Sequence, residues 1–241
     1  DKGDLATING FADVILSTAN ITVSDDVSKG EADTINAYNN VSGTVTLTSI
    51  TDNFTNVVAA QGTAGIAMTA ATIETDNTEA VTKANVDTLN GFTTGVVTVK
   101  SVRDTRANVE AIDAIADGEV LMNTAIVSVT DAVTKAQADT LNGFTNQKVT
   151  LNSVEDTYSN IQLIKAIDTA AVDMDAAAVK VTDNVTKTEV DDLRTDTTGN
   201  ITLTSLTEDK GDLATIAGFA DVILSLIHIS EPTRPRLISY A

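Results

Sequence analysis

The chain has 241 residues, 34 acidic against 15 basic, and 42% of it is apolar although only 3% is aromatic. That is enough Val, Ile, Leu and Ala to bury a core, and too much for a disordered acidic tail. A net charge of −19 excludes sequence-independent binding to nucleic acid or anionic lipid, which need Lys and Arg against phosphate, and the lack of cysteine removes disulfides, thiolate metal sites and thiol catalysis.

The chain starts at Asp1 without a methionine or a charged-then-apolar leader, and it reads as cut at both ends. No apolar run reaches the ~18 residues of a membrane span, so no membrane insertion is expected. Self-similarity then organises everything that follows. Ser49, Ser101, Ser153 and Ser205 stand 52 residues apart, as do Asp52, Asp104 and Asp156, and Asn56, Asn108, Asn160 and Asp212. Asp1–Ile8 recurs as Asp209–Ile216, and Lys29, Lys83, Lys135 and Lys187 are spaced 54, 52 and 52. The first copy carries two extra residues near Tyr38–Gly43, where Asn39-Asn40 and Ser42-Gly43 suggest a longer turn.

Each period reads strand, helix, strand, helix. Val45–Leu47, Val97–Val99, Ile126–Thr130, Val149–Leu151 and Ile201–Leu203 alternate and are rich in β-branched residues, which marks strands. The first helix of each period opens on a capping-box spacing: Ser28 with Glu31, Thr82 with Asn85, Thr134 with Gln137, Thr186 with Glu189. In the third copy Val133 can staple onto Ala138, and Asn142-Gly143 is expected to end the helix with residues that tolerate a left-handed conformation. Ile8-Asn9-Gly10-Phe11 copies Leu141-Asn142-Gly143-Phe144, so the two halves of a period resemble each other. The second helix is expected to begin at Asp156 as N-cap, with Ile161, Ile164 and Ile167 on one face, and Val109, Ile112 and Ile115 one period earlier.

A strand plus a helix of roughly 23 to 29 residues cannot bury its apolar face alone, so neighbouring coils must stack. The expected fold is α/β: an open-ended β/α solenoid of about eight strand–helix coils with a parallel sheet, roughly 40 Å long at ~4.8 Å per strand. An eight-fold β/α barrel is the alternative, disfavoured because the chain enters and leaves in the same phase of a repeat. Val127, Val129, Val149, Leu151, Leu141 and Ile164 should share one core.

The array is expected to cover 1–223. Both prolines (Pro232, Pro235) and the sole histidine (His228) fall beyond it. Leu224–Arg234 reads as the in-frame translation of a common transposase sequencing adapter, and Ile238-Ser239-Tyr240-Ala241 matches the next adapter segment. Residues 224–241 are therefore expected to be a non-native tail outside the packed core, whose removal from 226 onward changes stability by less than about 1 kcal/mol.

Two patterns carry a family resemblance: Val-Thr-Asp-x-Val-Thr-Lys-x-x-x-Asp-x-Leu-Asn-Gly-Phe, as at 129–144, and Ser-Val-x-Asp-Thr-x-x-Asn-Ile/Val, as at 153–161 and 101–109. Together they resemble the threonine- and aspartate-rich repeats of very large bacterial surface or secreted proteins, especially those of marine picocyanobacteria, some described as haemolysin-like. The resemblance implies an extracellular or cell-surface repeat region whose partners are neighbouring repeats of the same parent chain. It implies no activity. The glycine-rich nonapeptide that binds calcium in toxin repeats is absent from this sequence.

Stacking would align Asp25, Glu79, Asp131 and Asp183, and likewise Asp52, Asp104 and Asp156, along the solenoid edge. Rows of oxygen can hold Ca²⁺; of these, Asp131, Asp156 and Asp183 are the metal candidates, weak ones because no loop concentrates three or four carboxylates at ligand spacing. Helix capping is the expected role, and no cofactor is expected. Lys29, Lys83, Lys135 and Lys187 precede Asp33, Asp87, Asp139 and Asp191 by four residues, the spacing of exposed helical ion pairs. Tyr38, Phe92 and Phe144 share one repeat position, read as a corner plug rather than a sugar-stacking row; the fourth copy has Asp196 there. Four Asn-x-Ser/Thr triplets begin at Asn20, Asn40, Asn53 and Asn200, as chance supplies in a Thr-rich chain. No enzyme is expected, since 1–223 lacks His and Cys and no unit breaks the repeat to gather carboxylates and lysines. The functional expectation is a structural spacer or display segment of a very large extracellular protein. The alternative is an adhesin-type module that binds a glycan or surface ligand with the help of calcium.

Overall fold

The computed structural model describes residues 1–11, 16–39, 42–116, 118–167 and 171–225. In chain order they form α1 (Lys2–Asn9), β1 (Ile21–Val27), α2 (Lys29–Tyr38), β2 (Val45–Asp52), α3 (Phe54–Gln61), β3 (Ile66–Ala67), β4 (Thr72–Thr75), α4 (Lys83–Asn90), β5 (Val97–Thr98), β6 (Ser101–Asp104) and α5 (Arg106–Asp113). Then come β7 (Val120–Leu121), β8 (Ile126–Val133), α6 (Lys135–Asn142), β9 (Val149–Asp156), α7 (Tyr158–Lys165), β10 (Val172–Asp173), β11 (Ala178–Val185), α8 (Lys187–Asp196), β12 (Ile201–Leu206), α9 (Lys210–Ile216) and β13 (Val222–Leu224). Every strand pairing is parallel, and each strand level is followed by a short helix. This is an α/β solenoid of eight strand–helix coils, ended by β13. The strands do not close a barrel. One sheet runs β1-β2-β4-β5-β7, with β3 also on β2; the other runs β13-β12-β11-β9-β8-β6, with β10 also on β9.

The two sheets are one stack whose hydrogen-bond columns slide. Within a period, whole strands pair: Val127 with Val149 and, past a bulge, Val133 with Val154. Between periods the next strand shifts by half its length, so Ser153–Asp156 meets the start of β11 while Val149 and Thr150 meet β10. Each period therefore opens a column at one margin and ends one at the other. The short strands expected at 97–99 and 149–151 are thus halves of longer levels: β5 continues as β6 after Val99 and Lys100, and β9 runs on to Asp156. In the second copy Asp76–Ala80 interrupts the level, leaving Val81 to rejoin as a bridge to Val102.

Alternation along each strand puts Val, Ile and Leu inside, and the helices complete one core. Val127, Val129, Val149, Leu151, Leu141 and Ile164 are all buried in it, as expected. Ile161 and Ile164 lead from α7 and Val109 and Ile112 from α5, with Ile167 and Ile115 partly buried behind them. Tyr38, Phe92 and Phe144 pack partly buried against the same cluster, as corner plugs.

The corners rest on residues whose role the sequence reading passed over. Met68, Met122 and Met174 are buried, and each carbonyl accepts the N–H of Ala71, Ala125 or Ala177 three residues on, at 2.9 Å. Those alanine carbonyls in turn accept the buried hydroxyls of Thr93 (2.5 Å), Thr145 (2.6 Å) and Thr197 (2.6 Å) from the following coil. The same hydroxyls accept the N–H of Gly95, Gln147 and Gly199. The approach is close: a Cβ on Gly95 or Gly199 would stand 2.4 or 2.1 Å from the carbonyl oxygen of Ala71 or Ala177. In the first copy Asn39 reaches the Ala19 carbonyl instead. Thr145→Val keeps the shape but leaves the partly buried Gln147 N–H without its acceptor and the buried Ala125 carbonyl without its hydroxyl donor. It should cost about 1–2 kcal/mol in a urea melt, against about zero for exposed Thr140→Val.

Asn142-Gly143 ends α6 as expected, though neither Gly143 nor Gly91 after α4 uses its left-handed freedom: their φ values are −75° and −71°, and the helices stop in the right-handed region, as α5 and α7 do at Ala114 and Ala166. The positive-φ glycine among the described residues is Gly65 (φ 89°). One local expectation is corrected: the N-cap of α7 is Thr157, not Asp156, because Asp156 closes β9 and its carboxylate is spent across the coil boundary. Of the segment expected to be a foreign tail, Leu224 ends β13 opposite Leu203, and residues 226–241 lie outside the described residues, as does Asn40 in the longer first-copy turn.

Candidate functional site

An α-helix leaves its first N–H groups unpaired. Among the described residues α1 to α8 solve this twice. The near solution is local: Asp1, Ser28, Thr82, Thr134 and Thr186 cap their helices in reciprocal boxes with Asp4, Glu31, Asn85, Gln137 and Glu189, and Asn53, Thr105, Thr157 and Asp209 cap α3, α5, α7 and α9.

The second solution comes from the next coil, 21 to 25 residues on. The N–H of Lys2 donates to Asp25 (2.8 Å), Lys29 to Asp52 (2.9 Å), Thr55 to Glu79 (3.1 Å) and Lys83 to Asp104 (2.8 Å). Arg106 donates to Asp131 (2.6 Å), Lys135 to Asp156 (2.8 Å), Tyr158 to Asp183 (2.9 Å), and Lys187 to Glu208. The two acidic rows read from the sequence are one continuous row, interleaved coil by coil. A carboxylate at a helix N-terminus gains from both the hydrogen bond and the macrodipole. Glu208, the eighth member, was overlooked although it stands 52 after Asp156, because the side chain changes from Asp to Glu.

Asp52, Asp104 and Asp156 each take three. Asp52 accepts the N–H groups of Lys29 and Asn53 and the Asn56 amide; Asp156 accepts those of Lys135 and Thr157 and the Asn160 amide; Asp104 accepts those of Lys83 and Thr105 and the Asn108 amide. At Asp104 and Asp156 burial works against ionisation, but the three hydrogen bonds outweigh it and hold both carboxyls below the ordinary carboxylate value. At Tyr158, burial and then the hydrogen bond to Asp192 push the phenol up to about 12.

The metal candidates Asp131, Asp156 and Asp183 therefore fall in successive coils, each against a different helix start, and are not brought together. No group of three or more His, Cys, Asp or Glu side chains placed to hold a metal occurs among the described residues. A cleft of about 420 Å³ beside Asp156 is lined by Thr134, Gln137, Glu155 and Thr182, of which Thr134 and Gln137 are engaged in the helix cap and Glu155 with Lys180. The lysine row forms the expected pairs: Lys29–Asp33, Lys83–Asp87, Lys135–Asp139 and Lys187–Asp191, with Arg106–Glu110 in the same style. These are solvent-facing, so Asp139→Ala should cost less than about 0.5 kcal/mol in a urea melt.

No family model, curated protein or solved structure matches the chain. Fold and rows together define a β/α repeat protein.

Proposed function

We propose that this chain is a rigid spacer or display segment of a much larger extracellular or cell-surface protein, without catalytic activity of its own. The observation that carries the reading is the acidic row. This regular polar row, where stacked coils could have presented a uniform ligand surface, is occupied by capping the neighbouring coil. The resemblance to threonine- and aspartate-rich surface repeats supports the extracellular setting, and the acidic, cysteine-free composition is in keeping with it.

The rival is an adhesin arm that recognises a glycan with the help of calcium. A glycan array probed with the labelled chain, with and without Ca²⁺, separates the two: the spacer reading expects a blank array, and a reproducible calcium-dependent signal makes the chain an adhesin. Calorimetry with Ca²⁺ at low ionic strength should likewise show no saturable binding in the micromolar range or tighter, because each row carboxylate already has a backbone partner.

A further inference from the structure

The copies are not uniform, and four departures from the repeat fall together. Gly43, Gly95 and Gly199 share one repeat position, and a Cβ on any of them would lie 2.0 to 2.4 Å from the carbonyl oxygen of Ala19, Ala71 or Ala177. The third copy places Gln147 at that crowded position. Thr48, Asn152 and Thr204 share another, at which the second copy has Lys100. In register opposite Ser49, Ser101 and Ser153 stand Thr72, Ile126 and Ala178, so Ile126 brings a large apolar side chain where the others are Thr and Ala, and it is 43% exposed. Finally, Thr75 reaches Val81 through five residues, 76–80, where Val129 and Val181 reach Val133 and Val185 through three.

Gln147, Lys100, Ile126 and the lengthened segment at Asp76 and Asn77 line one cleft of about 340 Å³, together with Glu74 and Thr124. They come from four successive coils. Packing gives such changes no reason to converge, and at Gln147 it asks for glycine instead. A local conflict of this kind marks a functional position, and insertions in repeat arrays build binding faces.

The polar groups of this cleft are largely unspent. Lys100 Nζ lies 3.4 Å from both Glu74 Oε2 and Thr124 Oγ1, whereas the other Lys and Arg ion pairs among the described residues are 2.9 Å or closer. An ammonium has three donors, so two long contacts leave it open to a better acceptor. Asp76 uses one carboxylate oxygen on the Thr78 N–H and hydroxyl, and the Asn77 side chain makes no hydrogen bond among the described residues.

The order along the stack selects the ligand. Glu74 and Asp76 belong to one coil, Lys100 to the next and Ile126 to the one after, at ~4.8 Å per level. We propose that the cleft binds a free α-amino acid with an aliphatic side chain. Its ammonium donates to Asp76 and the Asn77 amide oxygen, its carboxylate accepts from Lys100 and the Thr124 hydroxyl, and its side chain lies on Ile126 with Gln147 as the far wall. The inference goes beyond the spacer reading and does not depend on it.

The test is a titration of the full chain with L-leucine, followed at the Ile126 methyl resonances. Few contacts in an open cleft set an expected dissociation constant of about 1 mM. 4-Methylpentanoate, which lacks the ammonium, and 3-methylbutylamine, which lacks the carboxylate, should each bind at least about tenfold more weakly. Lys100→Ala and Asp76→Asn should weaken leucine by a similar factor. Gln147→Gly restores the residue of the other copies, so its urea midpoint should not fall, while its affinity for leucine should drop by at least about threefold. No shift at Ile126 up to about 20 mM leucine, equal binding of either truncated probe, glucose binding there in place of leucine, or undiminished leucine binding by Gln147→Gly each overturns the proposal.

Discussion

Leu141→Ala is expected to lower stability by about 2–5 kcal/mol, the largest effect of any single substitution considered. Leu141 is fully buried on α6, at the point where the helix row meets the sheet. In a solenoid the cavity is flanked by coils on both sides that are themselves held by their neighbours, so the site collapses poorly. Leu163 is the control: it lies on α7 one residue before buried Ile164 but is 54% exposed. Leu163→Ala should stay within about 0.5 kcal/mol. Urea melts check both, with the midpoint shifting at constant slope; a reduced slope for Leu141→Ala would mean that the array no longer unfolds as one unit.

Asp156→Ala is expected to cost about 2 kcal/mol, well above Asp139→Ala on the neighbouring helix. Both remove one carboxylate, but Asp139 loses an exposed ion pair whereas Asp156 leaves the Lys135 and Thr157 N–H groups and the Asn160 amide without their acceptor. The same residue dictates a pH dependence. Because its folded-state carboxyl is held below the ordinary value near 3.8, it contributes stability above that value and loses it as pH falls through the depressed one. The parent chain should therefore weaken steeply in acid below about pH 4, and Asp156→Ala should weaken less steeply there. Parallel pH profiles of the two midpoints would show the curves converging; parallel curves would remove Asp156 from the account.

The fold was legible because one physical rule was repeated many times. Val127 and Val129 on a strand, or Ile161 and Ile164 on a helix, need only the right period to face the core, and a 52-residue echo confirms each assignment from another copy. The acidic row was legible for the same reason, but its geometry was not. Sequence spacing places Asp156 just before a helix and suggests a cap for that helix; only the stacking of coils brings it to the start of the helix before it as well. Thr93, Thr145 and Thr197 also stand 52 apart, yet a threonine in a polar turn carries no outward sign that its hydroxyl is buried against a carbonyl of the preceding coil. The half-strand slide between periods was hidden entirely, since register belongs to the pairing of two segments and neither segment alone encodes it.

The row of caps has a direction in time. The carboxylate that completes a helix start lies 21 to 25 residues downstream, so during synthesis at about 5–20 residues per second it arrives roughly one to five seconds after its helix. Helix relaxation takes about a microsecond, so the newest coil waits unfinished through many openings and closings until its successor emerges. The nascent array is thus always soft at its growing end by one coil and firm behind it. Each unit serves as template and latch for the one made before, and construction proceeds as a ratchet that moves from the amino terminus outward.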